Sequence, residues 1–119
     1  MEAMKILFLG DVVGRSGRSA VVNNLPTIIK KNEIDFSIVN AENATSGMGL
    51  SVKHAKEILE IGVNCITLGD HAFDQKDMLQ FIETEHRILR PLNFSKSAPG
   101  KGSNIYADKR GRKILVSQI

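Results

Sequence analysis

Three continuous apolar runs, each closed by polar residues, alternate along the chain with stretches whose apolar residues recur at helical spacing. The runs are KILFLG at residues 5–10, FSIVNAEN at residues 36–43 and VNCITLG at residues 63–69. Short apolar runs of this kind are typical of strands that are buried on both faces of a sheet. The pattern therefore predicts three buried strands, with the second run ending in polar residues.

Helices are predicted between these runs. Residues 16–32 carry one apolar face at helical spacing, and Pro26 within this stretch should kink the helix or mark a break in it. Ser51 is positioned to cap a second helix, which should stop at Gly62. Asp74 is positioned to cap a third helix, whose apolar face consists of Met78, Leu79 and Ile82.

The pattern changes after the third helix. Residues 90–94 look irregular, residues 98–102 look like a loop, and the segments NIYA and RKILVSQI around Gly111 predict a β-hairpin. Alternation of strands and helices implies a parallel sheet with right-handed crossovers. The predicted fold is therefore α/β, with a parallel β-sheet core, flanking helices and a terminal hairpin, in one domain over residues 1–119.

Composition excludes several classes of protein but does not indicate a function. The chain has 119 residues, 42% of them hydrophobic, and a net charge of +3, which is too small to indicate nucleic-acid binding by itself. Cys65 is the only cysteine, so it excludes an internal disulfide and a cysteine zinc cluster, and it is expected to be a small buried hydrophobe. No apolar stretch is long enough for a membrane span, and no signal-peptide pattern is present, so we expect a cytoplasmic protein without a membrane partner.

Polar residues follow each of the three predicted strands. They are Asp11, Glu42 with Asn43, and Asp70 with His71. Parallel strands bring their carboxyl ends to one edge of the sheet, where ligands of open α/β folds bind. Carboxylates gathered there would repel one another unless a cation neutralised them, and oxygen ligands with an imidazole suit Mn, Fe or Zn. The pattern predicts two metal ions, with Glu42 between them and His71 protonating a leaving oxygen.

Each of these residues also has an ordinary structural explanation. Asp11 after Gly10 is a common turn, Glu42 and Asn43 could simply begin a polar loop, and His71 could be a partly buried, hydrogen-bonded histidine. His54 and His86 fall on predicted helices among charged residues and are expected at the surface. The coincidence of polar groups at three strand ends favours the functional interpretation.

Two further segments give weaker signals. The loop TSGMGLS could hold a phosphate with its backbone N–H groups, but it lacks the spacing of the known glycine-rich fingerprints. The cluster Lys109, Arg110, Arg112 and Lys113 could contact a nucleotide or RNA backbone, although such a cluster is more often a solvated turn.

Four segments together resemble a known family, the YmdB-like metallophosphoesterases, which are bacterial phosphodiesterases of the calcineurin-like superfamily. The segments are MKILFLGDVVGRSGR, IVNAENATSGMGLS, ITLGDHAFD and LRPLNFSKSAPGKG. The resemblance implies the N-terminal half of a calcineurin-like sandwich. It also implies hydrolysis of phosphodiesters, including 2′,3′-cyclic nucleotides, at a di-iron or di-manganese centre, so that nucleic acid would be a partner only as substrate.

The resemblance assigns roles by position. Asp11 matches a ligand of the first metal, Glu42 the bridging ligand, Asn43 a ligand of the second metal, and His71 the general acid. Asp70 is a departure, because the family usually has an asparagine there. The aspartate can still ligate a metal, but its negative charge opposes an anionic substrate.

The second departure concerns length. Family members are considerably longer and carry three further metal-binding histidines, whereas this chain has no histidine after His86. The resemblance therefore implies that both metal sites are incomplete. We expect the chain alone to be inactive or nearly so, unless a separate C-terminal half or self-association completes the site. The alternative is a non-catalytic remnant or binding module that keeps the α/β fold.

Overall fold

A four-stranded parallel sheet and a two-stranded hairpin form the framework of the computed structural model, which describes residues 3–119. The sheet runs in the order β1 (Ile6–Leu9), β2 (Phe36–Asn40), β3 (Cys65–Thr67) and β4 (Ile88–Leu89). The helices are α1 (Gly14–Lys31), α2 (Val52–Glu60) and the short α3 (Met78–Phe81), and the hairpin is β5 (Ser103–Ala107) with β6 (Lys113–Ser117). This arrangement confirms the predicted α/β fold with a parallel sheet, flanking helices and a terminal hairpin.

The main core lies between one face of the sheet and the first two helices. Val21 and Leu25 of α1 and Ile58 of α2 join Val39 of β2 and Ile66 of β3 in one buried cluster. Burial of apolar surface is the main favourable contribution to folding, so this contact fixes the helices on the sheet. It also fixes the positions of the loops that follow the strands.

The opposite face of the sheet is covered by the hairpin only over its middle and far strands. Phe36, Cys65 and Leu89 pack there against Val116, and the rings of Phe36 and Tyr106 lie 5.7 Å apart. Cys65 is fully buried, as the sequence predicts.

The first strand departs from the prediction of burial on both faces. It is an edge strand, and Ile6 and Phe8 are 50% and 60% exposed, while the alternate side chains Leu7 and Leu9 pack on the main core. Among the described residues, the hairpin does not cover this part of the sheet, which is why the prediction is wrong for one face of β1.

Helix boundaries follow the predictions in part. The side chain of Ser51 accepts a hydrogen bond from the backbone N–H of His54 at 3.3 Å, which confirms the predicted cap, and Gly62 follows the helix with a positive φ of 104°. Helix α1 is continuous through Pro26, so the predicted break does not occur.

Other local predictions are wrong. Asp74 does not cap α3, which is preceded by Asp77, and the Oδ2 of Asp77 instead accepts a hydrogen bond from the backbone N–H of Val52 at 3.2 Å. His86 lies in a turn and not on a helix. Strand β4 was not predicted at all, because two residues are too short for a period to be recognised.

Candidate metal centre at the carboxyl ends of the strands

The polar residues singled out in the sequence follow the carboxyl ends of three adjacent strands. Asp11 comes after β1, Glu42 and Asn43 come after β2, and Asp70 comes after β3. Beyond the strands, an isolated parallel bridge between Val13 and Asn43 continues the pairing of the first two strands. The fold therefore places these residues along one edge of the sheet.

Asp11 and Asn43 are joined directly. The Nδ2 of Asn43 donates a hydrogen bond to the Oδ1 of Asp11 at 2.9 Å, and the carbonyl of Asn43 accepts one from the backbone N–H of Gly14 at 3.1 Å. Asp11 has a positive φ of 52°, a backbone conformation that is uncommon for residues other than glycine. These contacts bring the ends of β1 and β2 and the start of α1 together around one carboxylate and one amide.

Glu42 lies against the backbone of Gly69. A Cβ at position 69 would lie 2.4 Å from the carboxylate atoms of Glu42, and Gly69 has a φ of +52°. Both observations favour glycine here, since a side chain would displace the carboxylate. Glu42, Gly69 and Asp70 line a cleft of about 610 Å³ between the exposed face of β1 and strand β6. Sequence reasoning treated Gly69 only as part of a strand end and missed this role.

His71 is exposed and is oriented by a carboxylate. Its Nδ1 lies 2.6 Å from the Oδ2 of Asp74, and their side chains are 47% and 32% exposed. A contact at Nδ1 fixes the orientation of the ring and leaves Nε2 for another partner. Sequence reasoning identified His71 but assigned Asp74 to a helix cap instead of to this contact.

The donors at this edge are of the type that a divalent metal requires, but they do not form a complete site. Within residues 3–119 there is no group of three or more His, Cys, Asp or Glu side chains placed to hold a metal ion. The donors fall into two groups. Asp11 and Asn43 are joined by a hydrogen bond, and Glu42 and Asp70 line the cleft. Carboxylate and amide oxygens are suitable ligands for Mn²⁺ and Fe²⁺. The residues present therefore have the right donor atoms for such ions, but there are too few of them to complete a site.

The loop after Asn43 is held by a histidine that was expected at the surface. His54 is half-buried on α2, and its Nδ1 lies 2.7 Å from the Oγ1 of Thr45, which also accepts a hydrogen bond from the backbone N–H of Ser51 at 2.8 Å. Burial lowers the pKa of His54, and the nearby positive charge of Arg18 lowers it further. The guanidinium of Arg18 also donates to the carbonyl of Ala44, and this role of Arg18 had no signal in the sequence.

Comparison with known proteins identifies the family. Residues 7–119 match the model of the YmdB-like protein family. The chain belongs to this family. The resemblance carried by the four sequence segments is thereby confirmed.

Individual relatives agree with this assignment. The 2′,3′-cyclic-nucleotide 2′-phosphodiesterase of Bacillus subtilis (strain 168) is 39% identical over 116 residues, an alignment that covers 98% of this chain and 44% of that protein. The crystal structure of a hypothetical protein from Thermus thermophilus superposes with a TM-score of 0.89 at 37% identity and covers 98% of this chain and 44% of that one. A phosphatase from Mycoplasma pneumoniae gives 0.87 at 40% identity, covering 98% and 43% of the two chains.

The chain spans less than half the length of these YmdB-like relatives. Within residues 3–119, no helix is long and apolar enough to cross a membrane. The cytoplasmic location expected from the sequence stays a prediction.

Proposed function

We propose that this chain provides part of the active site of a metal-dependent phosphodiester hydrolase. In this proposal Asp11, Glu42, Asn43 and Asp70 bind two divalent ions, with Fe or Mn preferred to Zn, and the substrate is a phosphodiester such as a 2′,3′-cyclic nucleotide. The observations that support it most are the packing of Glu42 against Gly69 on the lining of a cleft and the hydrogen-bonded pair of Asp11 and Asn43 at the same edge of the sheet.

Each side chain has a distinct role in the proposal. A bound metal pair would supply a nucleophilic hydroxide and would neutralise charge on the phosphoryl group. Glu42 would serve as a ligand of both ions, since it follows the middle of the three strands. His71 donates a proton from Nε2 to the leaving oxygen, while Asp74 holds its Nδ1 at 2.6 Å. Asp70 adds a negative charge that weakens binding of an anionic substrate.

In this proposal the metal ligands that residues 3–119 lack are supplied by a further part of the family fold, and an exposed apolar surface lies beside the donors that are present. Ile6 and Phe8 of β1 and Leu115 and Ile119 at the other wall line the same cleft as Glu42, and all of them are exposed. Large exposed apolar patches mark interaction sites. We therefore include a separate C-terminal half of the family fold, or a second copy of this chain, as the partner that covers this cleft.

The test measures metal binding and hydrolysis on the same samples. We expect the purified chain to bind Mn²⁺ weakly and to hydrolyse bis(p-nitrophenyl) phosphate and 2′,3′-cyclic AMP at background rates. Addition of a C-terminal segment from a relative should raise both, and Glu42→Gln should abolish the gain. Glu60→Gln, an exposed change on α2, serves as the control and should leave the gain intact. A gain that survives Glu42→Gln would refute the assignment.

A non-catalytic binding module is the second candidate. It is favoured by the absence, among residues 3–119, of any group of three side chains placed to hold a metal. Size-exclusion chromatography combined with metal analysis separates the two candidates. A metal-free monomer that does not respond to the added segment supports the module, whereas an assembly with about two ions per site supports the hydrolase.

A further inference from the structure

A basic groove lies at the end of the strands opposite the candidate metal centre. It has a volume of about 520 Å³ and is lined by Lys5, Lys30, Lys109 and Arg110, with Glu33 and Asp35 as its carboxylates. The cations come from three separate parts of the chain, which are the start of β1, the end of α1 and the turn of the hairpin. The sequence singled out only the hairpin turn, so the groove exists because the fold adds Lys5 and Lys30 to it.

The hairpin turn that carries Lys109 and Arg110 is held in place by a buried carboxylate. The Oδ1 of Asp108 accepts hydrogen bonds from the backbone N–H groups of Arg110 and Arg112 at 2.9 and 2.8 Å, and its Oδ2 accepts one from the Nε of Arg112 at 2.7 Å. Burial opposes ionisation of Asp108, but these bonds outweigh it and lower the pKa of its carboxyl. The turn is therefore ordered before any ligand arrives, which reduces the entropy cost of binding.

Arg112, which contacts Asp108, also fixes the turn to the sheet and compensates the negative charge of Asp35 in the groove. The Nη2 of Arg112 lies 3.3 Å from the Oδ2 of Asp35, which also accepts a hydrogen bond from the backbone N–H of Lys5 at 2.8 Å. Asp35 is buried and paired, so its charge is compensated within the protein. Glu33 is then the main group in the lining that opposes an anion.

We propose that this groove binds the phosphate backbone of a single-stranded nucleic acid. Cations arranged around an open groove are the usual means of following such a backbone. The position of the groove favours a nucleic-acid strand over a single phosphate ion as the ligand. Lys5 precedes Ile6 and Lys113 precedes Ile114, and both of these apolar residues line the cleft that reaches Glu42. This choice of occupant rests on the proposed function, whereas the anionic character of the ligand does not.

The distance between the two sites sets the size of the ligand. Asp11 lies six positions after Lys5 along β1 and the residue that follows it, a distance of about 20 Å at 3.3 Å per position. A mononucleotide cannot reach from the groove to the metal centre, and an oligonucleotide of several residues can. The proposal thus extends the substrate class from cyclic nucleotides to phosphodiesters within a longer strand.

The test is fluorescence anisotropy with a labelled oligouridylate of roughly 20 nucleotides, a length that exceeds the usual site sizes. EDTA is present, so that binding is measured without hydrolysis. The variant Lys30→Ala with Lys109→Ala removes one cation from each side of the groove. The control Lys76→Ala with Lys96→Ala removes the same charge from exposed positions outside the groove lining. Circular dichroism establishes that both variants fold.

The expected effect follows from counterion release. Each phosphate contact contributes about 0.7 to the salt slope for a single strand, so the groove variant should lose about 1.4 from the slope and about 25-fold in affinity near 0.1 M salt. The control should lose at most about threefold, through net charge alone. Glu33→Gln should strengthen binding by up to about fivefold, because it removes one opposing charge.

Several outcomes would overturn the proposal. They are no binding by the unmodified chain at low salt, equal losses in the groove variant and the control, or competition by polyglutamate as effective as that by unlabelled RNA. Full competition by inorganic phosphate at equal phosphate concentration would assign the groove to a free ion instead. Binding in EDTA, together with no hydrolysis even after addition of the C-terminal segment, would uphold the groove and refute only the proposed catalytic function.

Discussion

The contact between Glu42 and Gly69 gives the sharpest test of the candidate centre, because it can be measured without a metal or a substrate. We consider Gly69→Ala. The new Cβ would lie 2.4 Å from the carboxylate of Glu42, well inside van der Waals contact, on a residue whose φ is +52°. The carboxylate is the end of a flexible side chain, so it should swing away instead of disrupting the sheet.

Two costs add up in this variant. A non-glycine residue in the left-handed region costs about 1–2 kcal/mol, of which the reduced entropy of the unfolded chain returns about 0.5 kcal/mol. Displacing Glu42 from its half-buried position should cost about 1 kcal/mol more, comparable to one lost contact. We expect a total of about 2 kcal/mol. For a chain of 119 residues this corresponds to a fall in Tm of about 8 °C.

A double-mutant cycle separates the two costs. Thermal and urea unfolding are measured for Gly69→Ala, Glu42→Ala and the double variant. Gly14→Ala serves as the control for backbone strain, since Gly14 has a φ of +60° and no atom within 4 Å of the added Cβ. In the Glu42→Ala background, Gly69→Ala should lower the free energy of unfolding by about 1 kcal/mol less than it does in the unmodified chain. Its cost should then equal that of Gly14→Ala. Additivity within about 0.5 kcal/mol would refute the close approach of the two residues.

Three other predictions concern the described fold. Because burial and Arg18 lower the pKa of His54 from 6.5, the neutral ring is favoured in the folded state. The contribution of His54 to the free energy of unfolding should therefore be fully present above pH 6.5 and decrease as the pH drops below it. His54→Gln should make the midpoint of urea unfolding less dependent on pH in this range. Burial raises the pKa of the Cys65 thiol to about 11, so a thiol reagent at about pH 8 should react only after unfolding, and prompt reaction would contradict the buried position. Gly102→Ala should cost about 3 kcal/mol in urea unfolding, because its Cβ would lie 2.2 Å from the Cα of Leu92, and a neutral variant would show that the backbone can yield there.

Local patterns predicted the elements that local forces determine. The first three strands, the cap at Ser51 and the hairpin follow from runs of apolar residues and from the geometry of single turns. The predicted cap of α3 failed because Asp74 has its partner outside that helix. Asp74 has the sequence context of a cap, but it contacts His71, and the residue before α3 is Asp77, which binds the backbone of Val52 from another helix. No local rule distinguishes these two aspartates.

The sequence was sufficient to predict which residues lie at the candidate centre, but it was not sufficient to predict the contacts that they make. The strand ends identify Asp11, Glu42 and Asp70, because the side chains at the carboxyl edge of a parallel sheet are set by chain order alone. The hydrogen bond between Asn43 and Asp11 and the packing of Glu42 on Gly69 depend on how the loops beyond the strands are folded. Metal ligation by these residues stays a prediction.

The exposed face of β1 links the failed prediction to the proposed partner. A strand that is apolar at every position is typical of burial on two sides, and Leu7 and Leu9 satisfy one side within this chain. Ile6 and Phe8 on the other side stay exposed, at the wall of the cleft that contains Glu42. At about 25 cal/mol per Å² of apolar surface, covering side chains of this size would contribute roughly 1–2 kcal/mol each. A partner that supplies metal ligands there would also gain this burial, so Phe8→Ser should weaken its docking while leaving the folding of the isolated chain nearly unchanged. Loss of folding in Phe8→Ser would instead show that the ring already supports this chain's own core.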